Sequence, residues 1–214
     1  MIHIRRHEIA TFFLVVLTGM RHKNYEKYKK IIDAATKVFA KKGFYNAKVS
    51  EIAQEAGIAD GTIYIYFNHK DDILISLFEE KMKEVLDNMK NQISLERDPL
   101  KKIEKFALVH LKMIQDNKDI AEIIQVELRQ SSKFMKNYHN TKFLEYLDLI
   151  GHIIQEGKEK RLVREDILPG IAKRAFFGAL DEMSRFWVLS KKPKYDIETA
   201  SRQISGFFIN GIKK

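Results

Sequence analysis

The chain has 214 residues, of which 38 are Lys or Arg and 29 are Asp or Glu, so its formal net charge at pH 7 is +9. Hydrophobic residues make up 45% of the sequence, which excludes an intrinsically disordered chain. The absence of cysteine excludes disulfide scaffolds, thiolate catalysis and Cys-type zinc sites. Ten glycines and three prolines favour helices over sheets with tight turns. The sequence therefore predicts a basic, soluble, all-α protein, and its lack of cysteine fits a cytoplasmic location.

The first twenty residues, MIHIRRHEIATFFLVVLTGM, differ from the rest of the chain. Their apolar stretch at 9–17 is too short to cross a bilayer, which takes about 20 residues. A signal peptide has this outline, and an additional core or interface helix would also fit. We favour a third interpretation, because neither a helix cap nor a partner pattern accompanies the stretch. In this interpretation residues 1–20 lie outside the working fold, and translation begins at Met20.

A basic amphipathic helix is predicted for residues 25–42. Its apolar residues recur at intervals of three and four, the spacing of one helix face. Gly43 follows Lys41 and Lys42, a pattern typical of a helix C-terminus, since glycine adopts the left-handed conformation and lysines offset the macrodipole.

Two short helices are predicted within the segment SEIAQEAGIADGTIYIYF, residues 50–67. Ser50 is the expected N-cap of the first helix, and Gly57 ends it. Asp60 is the expected N-cap of the second helix, and Asn68 that of a long helix after it. Two short helices joined by a Gly-containing turn form a helix-turn-helix.

Hydroxyl and basic side chains collect around these helices. Thr62, Tyr64 and Tyr66 carry hydroxyls that are unsuited to a dry core. Residues 21–70 contain ten Lys or Arg against five Asp or Glu, so they carry +5 of the net charge. Basic side chains around a short, polar-faced helix suit phosphate neutralisation at a major groove, although any single lysine could merely solvate the surface. We therefore predict a three-helix DNA-binding domain over residues 21–72.

An ordered series of segments runs through this domain and just beyond it. The series consists of an apolar helix at 31–39, Gly43-Phe44, VSEIA at 49–53, Ala56-Gly57, GTIYIYF at 61–67 and KDDIL at 70–74. In this order the segments resemble the TetR family of bacterial transcriptional regulators. The resemblance implies a helix-turn-helix head followed by a helical ligand-binding and dimerisation domain.

The resemblance also implies which residues contact double-stranded DNA, mostly at phosphates. These residues are Ser50, Thr62, Tyr64, Tyr66 and Lys70. Lys48 is expected to add one contact from the approach to the second helix. Family members often have a basic residue or histidine at the position of Tyr66, so the sequence departs from the pattern there.

Residues 73–214 are expected to form the ligand-binding and dimerisation domain. Pro99 marks a break after a helix that ends near residue 93, and further helices are predicted at 100–116, 119–131, 134–157, 169–190 and 196–212. The last two helices are apolar on two sides, so we expect them to pack in a four-helix bundle with a second copy of the chain. A homodimer would space two heads on a palindromic operator, whereas the alternative is a monomer with a thick core.

Further segments narrow the resemblance within the family. They lie at 59–64, 71–78, 127–130 and 177–182. These segments are similar to those of the family's repressors of fatty-acid degradation in bacilli, which respond to long-chain acyl-CoA. The resemblance implies a hydrophobic small-molecule effector, and the effector expected is long-chain acyl-CoA. We expect no resident cofactor, because the sequence contains no cofactor-binding motif.

An apolar tunnel for an acyl chain could be lined by several helical stripes. The candidate ligand residues are Phe106, His110, Met113, Ile123, Glu127, Arg129, Phe176, Leu180 and Trp187. Glu127 is a carboxylate within an apolar stripe, and Arg129 is the first candidate to bind the CoA phosphates. Arg174 and Arg185 are weaker candidates. Such apolar positions are more often plain core than ligand contacts, and Arg129 could instead pair with an acidic residue.

The sequence contains no P-loop, dinucleotide fingerprint, zinc-protease motif or nucleophile elbow, so we expect no catalytic residues and no enzyme activity. The seven histidines lack metal-ligand spacing, and His110 is expected to be a core or pocket-rim residue. We expect no metal site and no membrane association. Two alternatives remain, a TetR-like regulator of efflux with a different hydrophobic ligand and an all-helical lipid carrier or enzyme.

Overall fold

The computed structural model describes residues 22–123, 141–190, 192 and 194–214. Within these ranges the chain forms helices α1 His22–Lys42, α2 Val49–Ala56, α3 Asp60–Tyr66, α4 Lys70–Ser94, α5 Pro99–Asp116, α6 Lys118–Glu122, α7 Thr141–Glu159, α8 Pro169–Leu189 and α9 Ile197–Ile212. The described residues contain no β-strand, which confirms the predicted all-α class. The segment 1–20, for which we favour a place outside the working fold, lies outside the described residues.

Backbone contacts divide the chain into two compact units, Met1–Leu77 and Phe78–Lys214. Helix α4 runs through this division. None of the helices in the described ranges is long and apolar enough to cross a membrane.

The first unit contains the predicted helix-turn-helix. Helix α1 packs against α2, and α2 packs against α3. Side chains from all three helices are fully buried, among them Ile31, Ile52 and Ile63. Gly43 and Gly57 have φ values of 74° and 66°, so both helix ends use the left-handed conformation that glycine adopts without steric cost.

The three expected N-caps are wrong. Helix α2 begins one residue before Ser50, because the amides of Glu51 and Ile52 already bond to the carbonyl of Lys48. The Glu51 carboxylate accepts a hydrogen bond from the Lys48 amide at 3.1 Å and thereby performs the capping function.

The same correction applies to the next two helices. Helix α3 begins at Asp60 itself, with Ala59 as its N-cap. Helix α4 begins at Lys70 instead of following an Asn68 cap. The carboxylate of Asp72 accepts hydrogen bonds from the amides of Asn68 and His69, at 3.0 and 2.9 Å. An acidic residue inside the first turn thus replaces the predicted side-chain cap.

The second unit is built around α5, which contacts α6, α7, α8 and α9. Helix α8 also packs on α6, α7 and α9. The C-terminus is held in place, because Val163 and Lys213 form an isolated antiparallel bridge. The amide of Lys214 donates to the carbonyl of Leu162 at 3.0 Å.

Candidate DNA interface and effector site

One side of helix α3 packs in the core, and the rest of its surface consists of two flanks with an exposed face between them. Ile63 is 1% exposed and faces inward, whereas Tyr64 is 57% exposed. Thr62 and Tyr66, one turn apart, are half-buried on the other flank. Ile65 lies between these flanks and is 79% exposed. The hydroxyl-bearing residues therefore border a face whose centre is apolar.

Lys48 and Ser50 are both exposed at the beginning of α2. Lys48 is bonded through its backbone, and its ammonium forms no ion pair with another described residue. An exposed, unpaired ammonium at this point is free to contact a phosphate. The positions of both side chains are compatible with the DNA contacts that the resemblance implies.

Lys70 has a structural role that the sequence did not reveal. Its ammonium donates to the carbonyl oxygens of Phe44, Tyr45 and Ala47 at 2.6, 3.0 and 3.0 Å. The nitrogen also lies 4.6 Å from the centre of the Phe44 ring. Because an ammonium has three hydrogens, all of its donors are used within the protein. A phosphate contact by this side chain would require the release of at least one carbonyl.

Two ion pairs join α1 to α2. Lys37 contacts Glu55 at 2.9 Å, and Lys42 contacts Glu51 at 2.7 Å. The hydrogen bond from Lys42 lowers the pKa of the Glu51 carboxyl. Other lysines of this unit form no ion pair with a described residue and stay available to neutralise phosphates. They include Lys27, Lys30, Lys41 and Lys48.

In the second unit, His110 lies in a buried polar chain between α5, α7 and α8. Its Nδ1 is 2.7 Å from the Tyr146 hydroxyl, and its Nε2 is 3.2 Å from Ser184 Oγ. Ser184 Oγ donates to the carbonyl of Leu180 at 2.8 Å, so it accepts from Nε2–H and leaves Nδ1 to accept from Tyr146.

Burial keeps the titratable members of this polar chain neutral at pH 7. Burial lowers the pKa of His110 to about 4 and raises that of Tyr146 well above its ordinary value. His110 is thus a satisfied core residue, with both ring nitrogens hydrogen-bonded.

Aromatic rings surround the polar chain. The ring centre of Phe106 lies 5.1 Å from that of Tyr146 and 6.1 Å from that of Phe176. Phe177 packs edge-on against His110 at 6.0 Å. Of the predicted ligand residues, the structure brings together Phe106, His110, Phe176 and Leu180 in this one core.

Trp187 lies at a different place, in a cavity of about 320 Å³. The lining residues come from α5, α6, α8 and the start of α9, and they are Ile114, Gln115, Glu122, Trp187, Val188, Ser190, Tyr195, Asp196, Ile197 and Glu198. Three of these residues carry carboxylates, and none is Lys or Arg. The indole Nε1 donates to the carbonyl of Tyr195 at 3.1 Å. This lining disfavours the phosphates of a CoA group.

The remaining predicted ligand residues are dispersed. Ile123 is buried and Met113 is half-buried. Arg185 pairs with Glu182 at 2.9 Å, and Arg174 is exposed. Glu127 and Arg129 lie outside the described residues.

Tyr146 and Ser184 were not predicted from the sequence, although they complete the buried polar chain around His110. Ser184 follows Leu180 by four residues on the buried side of α8 and could have been flagged as a polar residue in an apolar stripe. Tyr146 lies 36 residues from His110, and no local pattern joins the two.

An exposed apolar stripe runs along α8 and α9. Ile171 is 67% exposed, Phe186 39%, Leu189 60% and Phe207 74%. A Cβ added at Gly178, on the same side of α8, would meet no other atom within 4 Å. Large apolar groups next to an open glycine are typical of a surface that another helix approaches closely.

Two family models match consecutive parts of the chain. Residues 31–77 match the bacterial regulatory proteins of the tetR family, and residues 78–211 match the C-terminal region of YsiA-like proteins. The matches meet at the point where backbone contacts divide the chain.

Several similar proteins align with more than four-fifths of this chain. The fatty acid metabolism regulator protein of Bacillus subtilis is 38% identical over 189 residues, which are 87% of this chain and 95% of that protein. The structure of the fatty acid degradation regulator FadR from Bacillus halodurans is 38% identical, with a TM-score of 0.80 over 86% of this chain and 95% of the other. FadR from Bacillus subtilis in complex with stearoyl-CoA is 35% identical, with a TM-score of 0.80 over 86% and 99% of the two chains. The chain therefore belongs to the TetR family of bacterial regulatory proteins.

Proposed function

We propose that this chain is a homodimeric repressor of fatty-acid degradation genes that long-chain acyl-CoA releases from its operator. The observation that carries the proposal is the 38% identity to the Bacillus subtilis regulator across 95% of that protein's length. The aligned residues are spread over both units of the chain, so the similarity supports the proposed effector as well as the proposed binding of DNA. The proposed site of action is the cytoplasm.

The DNA-binding half of the proposal is supported by the first unit. Exposed Lys48 and Ser50 at the beginning of α2, and Thr62, Tyr64 and Tyr66 around α3, offer donors to phosphates. Lys70 is proposed to act differently, by holding the α1–α2 connection in place through three carbonyls.

The apolar stripe of α8 and α9 supports a homodimer. A second copy that packed its own α8 and α9 on the stripe would cover Ile171, Phe186 and Phe207 in a four-helix bundle. Two heads related by a two-fold axis would then match a palindromic operator.

The effector half is supported by the solved complex of a 35%-identical relative with stearoyl-CoA. In this chain the acid-lined cavity around Trp187 opposes CoA phosphates, so the phosphates must find cations elsewhere. Arg129 stays our first candidate for that contact.

The test of the DNA-binding half is a mobility-shift assay with the full chain and the DNA upstream of its own operon and of fatty-acid catabolic genes. We expect a shifted band with at least one of these duplexes and a dimer by analytical ultracentrifugation. Failure to bind any of the duplexes above the level of unrelated DNA would contradict the proposal.

A second candidate function is regulation by a lipophilic cation, and the cavity around Trp187 favours it. Two aromatic residues and three carboxylates line this cavity, a combination that suits an organic cation. Glu198 already pairs with Lys112 at 3.5 Å and Asp196 caps α9, so Glu122 is the carboxylate proposed to meet the cation. Thermal-shift measurements with stearoyl-CoA and with a quaternary ammonium dye separate the two functions. Stabilisation by the dye alone would favour the second function.

A further inference from the structure

We infer that Ile65 reads a thymine in the major groove by contact with its C5-methyl group, and that Gly61 permits the close approach. The inference rests on DNA binding by the first unit and is independent of the effector. The inference is based on two features of α3 that the fold itself does not require.

The first feature is the exposure of Ile65. Its side chain is 79% exposed, the highest value among the large hydrophobic residues that the structure describes as exposed. It lies in the middle of the outward side of α3, opposite buried Ile63. An isoleucine left in water here contributes nothing to the core and has a lower helix propensity than alanine or leucine.

The second feature is Gly61, one turn before Ile65 on the same side of the helix. A Cβ at this position would meet no other atom of the protein within 4 Å, and its φ is not positive. Packing and backbone conformation therefore give no reason for glycine, which weakens a helix relative to alanine. Glycine does allow an outside surface to approach the helix closely.

The occupant of this face follows from what surrounds it. Hydroxyl-bearing Tyr64 and Thr62 lie on its two flanks, and lysines without ion pairs to described residues, such as Lys48, lie in the same unit. Basic and hydroxyl groups bind phosphates, whereas the apolar centre needs an apolar group on a base edge. The thymine methyl is the one such group that an unmodified base presents in the major groove.

The test replaces single thymines by uracil, which removes only the methyl group. Operator duplexes are first selected from a random library with the full chain, and each dT of a selected half-site is then replaced by dU. We expect one position at which dU lowers affinity about fourfold per half-site, the effect of removing one buried methyl. In Ile65→Ala the difference between dT and dU at that position should vanish.

Two variants serve as controls. Tyr64→Phe removes a hydroxyl next to Ile65 and should keep the full difference between dT and dU. Gly61→Ala should raise the thermal stability of the chain, weaken operator binding, and leave affinity for unrelated DNA unchanged. Because Ile65 is exposed, Ile65→Ala should remain folded.

The outcomes are distinguishable from failure of the proposed repressor function. If the chain binds no DNA at all, both proposals fail. If it binds a selected operator but no dU substitution matters, or if Ile65→Ala keeps the full difference between dT and dU, only the assignment of Ile65 is overturned.

Discussion

The ammonium of Lys70 lies 2.6 Å from the carbonyl oxygen of Phe44 and 4.6 Å from the centre of the same residue's ring. Together with the carbonyls of Tyr45 and Ala47, these contacts join the first residue of α4 to the connection between α1 and α2. A side chain expected to contact DNA thus holds together the unit that carries the DNA-binding residues.

Replacing Lys70 by methionine keeps the length of the side chain and removes its donors. We expect Lys70→Met to lower the free energy of unfolding by about 1.5 to 3 kcal/mol, because three carbonyls lose bonds to a charged group. Lys48→Met is the control. Because the Lys48 ammonium is exposed, its removal should lower the free energy of unfolding by less than about 0.5 kcal/mol. Lys48→Met should instead reduce the salt slope of DNA binding by about one per protomer.

Urea unfolding of the full chain, followed by circular dichroism, measures both variants. Equal stability of Lys70→Met and the unmodified chain would mean that the three carbonyl contacts do not support the fold.

The buried His110 predicts a loss of stability in acid. Its pKa is about 4 in the folded chain, below the ordinary value of 6.5, so the unfolded state takes up a proton first as the pH falls. The free energy of unfolding therefore carries no penalty from His110 above pH 6.5. It falls by about 3 kcal/mol as the pH decreases from 6.5 to 4, for a pKa shift of this size.

The variant His110→Gln tests this dependence, because an amide can donate and accept but does not titrate in this range. The difference in unfolding free energy between the unmodified chain and the variant should shrink by about 3 kcal/mol from pH 7 to pH 4. A difference that stays constant over this range would show that His110 does not account for acid sensitivity.

Gly157 is a position where packing requires glycine. A Cβ there would lie 2.6 Å from Val163 Cγ2, and Val163 is only 1% exposed. We expect Gly157→Ala to destabilise the chain by about 1 to 3 kcal/mol, the usual cost of overpacking. The double variant with Val163→Ala should recover part of the loss.

Gly151 in the same helix provides the matched control. Its added Cβ would meet only Lys173 Cδ, at 3.5 Å, which is an ordinary van der Waals contact. Gly151→Ala should be neutral or stabilising by up to about 1 kcal/mol. Thermal melts of the three variants measure these effects. Equal changes in melting temperature for Gly157→Ala and Gly151→Ala would contradict the packing argument.

The proposed dimer surface is tested by a charge. Phe207 and Leu95 are both 74% exposed, but only Phe207 lies on the stripe of α8 and α9. Phe207→Lys should dissociate the dimer, because two unpaired ammonium groups would be buried in the interface, and should weaken operator binding. Leu95→Lys should leave the dimer intact in sedimentation velocity experiments. If Phe207→Lys remains dimeric, the dimer interface does not lie on the stripe of α8 and α9.

Local signals in the sequence predicted the helices of the described ranges well, whereas the parts of the predicted helices 119–131 and 134–157 that fall at 124–140 lie outside the described residues. Pro99 occupies the first turn of α5 as expected, and Gly43 and Gly57 have the left-handed conformation predicted for helix ends. The N-cap predictions at Ser50 and Asn68 failed because the carboxylates of Glu51 and Asp72 bond to the amides that precede these helices. Helix α3 instead begins at Asp60 after Ala59, with no side-chain cap.

The side-chain contacts around the predicted ligand residues were foreseen less completely, for a physical reason. These contacts join residues far apart, as His110 joins Tyr146 and Ser184, 36 and 74 residues away. Carbonyl acceptors such as that of Phe44 carry no signature in the sequence. Periodicity identifies an apolar face but does not distinguish the solid core around Phe106 from the lining of a cavity such as that around Trp187.

The central claim, release from DNA by acyl-CoA, is tested most directly by titrating a preformed complex of the full chain and its operator. Fluorescence anisotropy of the labelled duplex would follow additions of stearoyl-CoA, stearic acid and CoA. We predict release by micromolar stearoyl-CoA and little release by stearic acid or CoA alone, since each supplies only part of the differential binding energy. Equal release by stearic acid would exclude a role for a cationic mouth such as Arg129, and retention of the operator at saturating stearoyl-CoA would contradict the account.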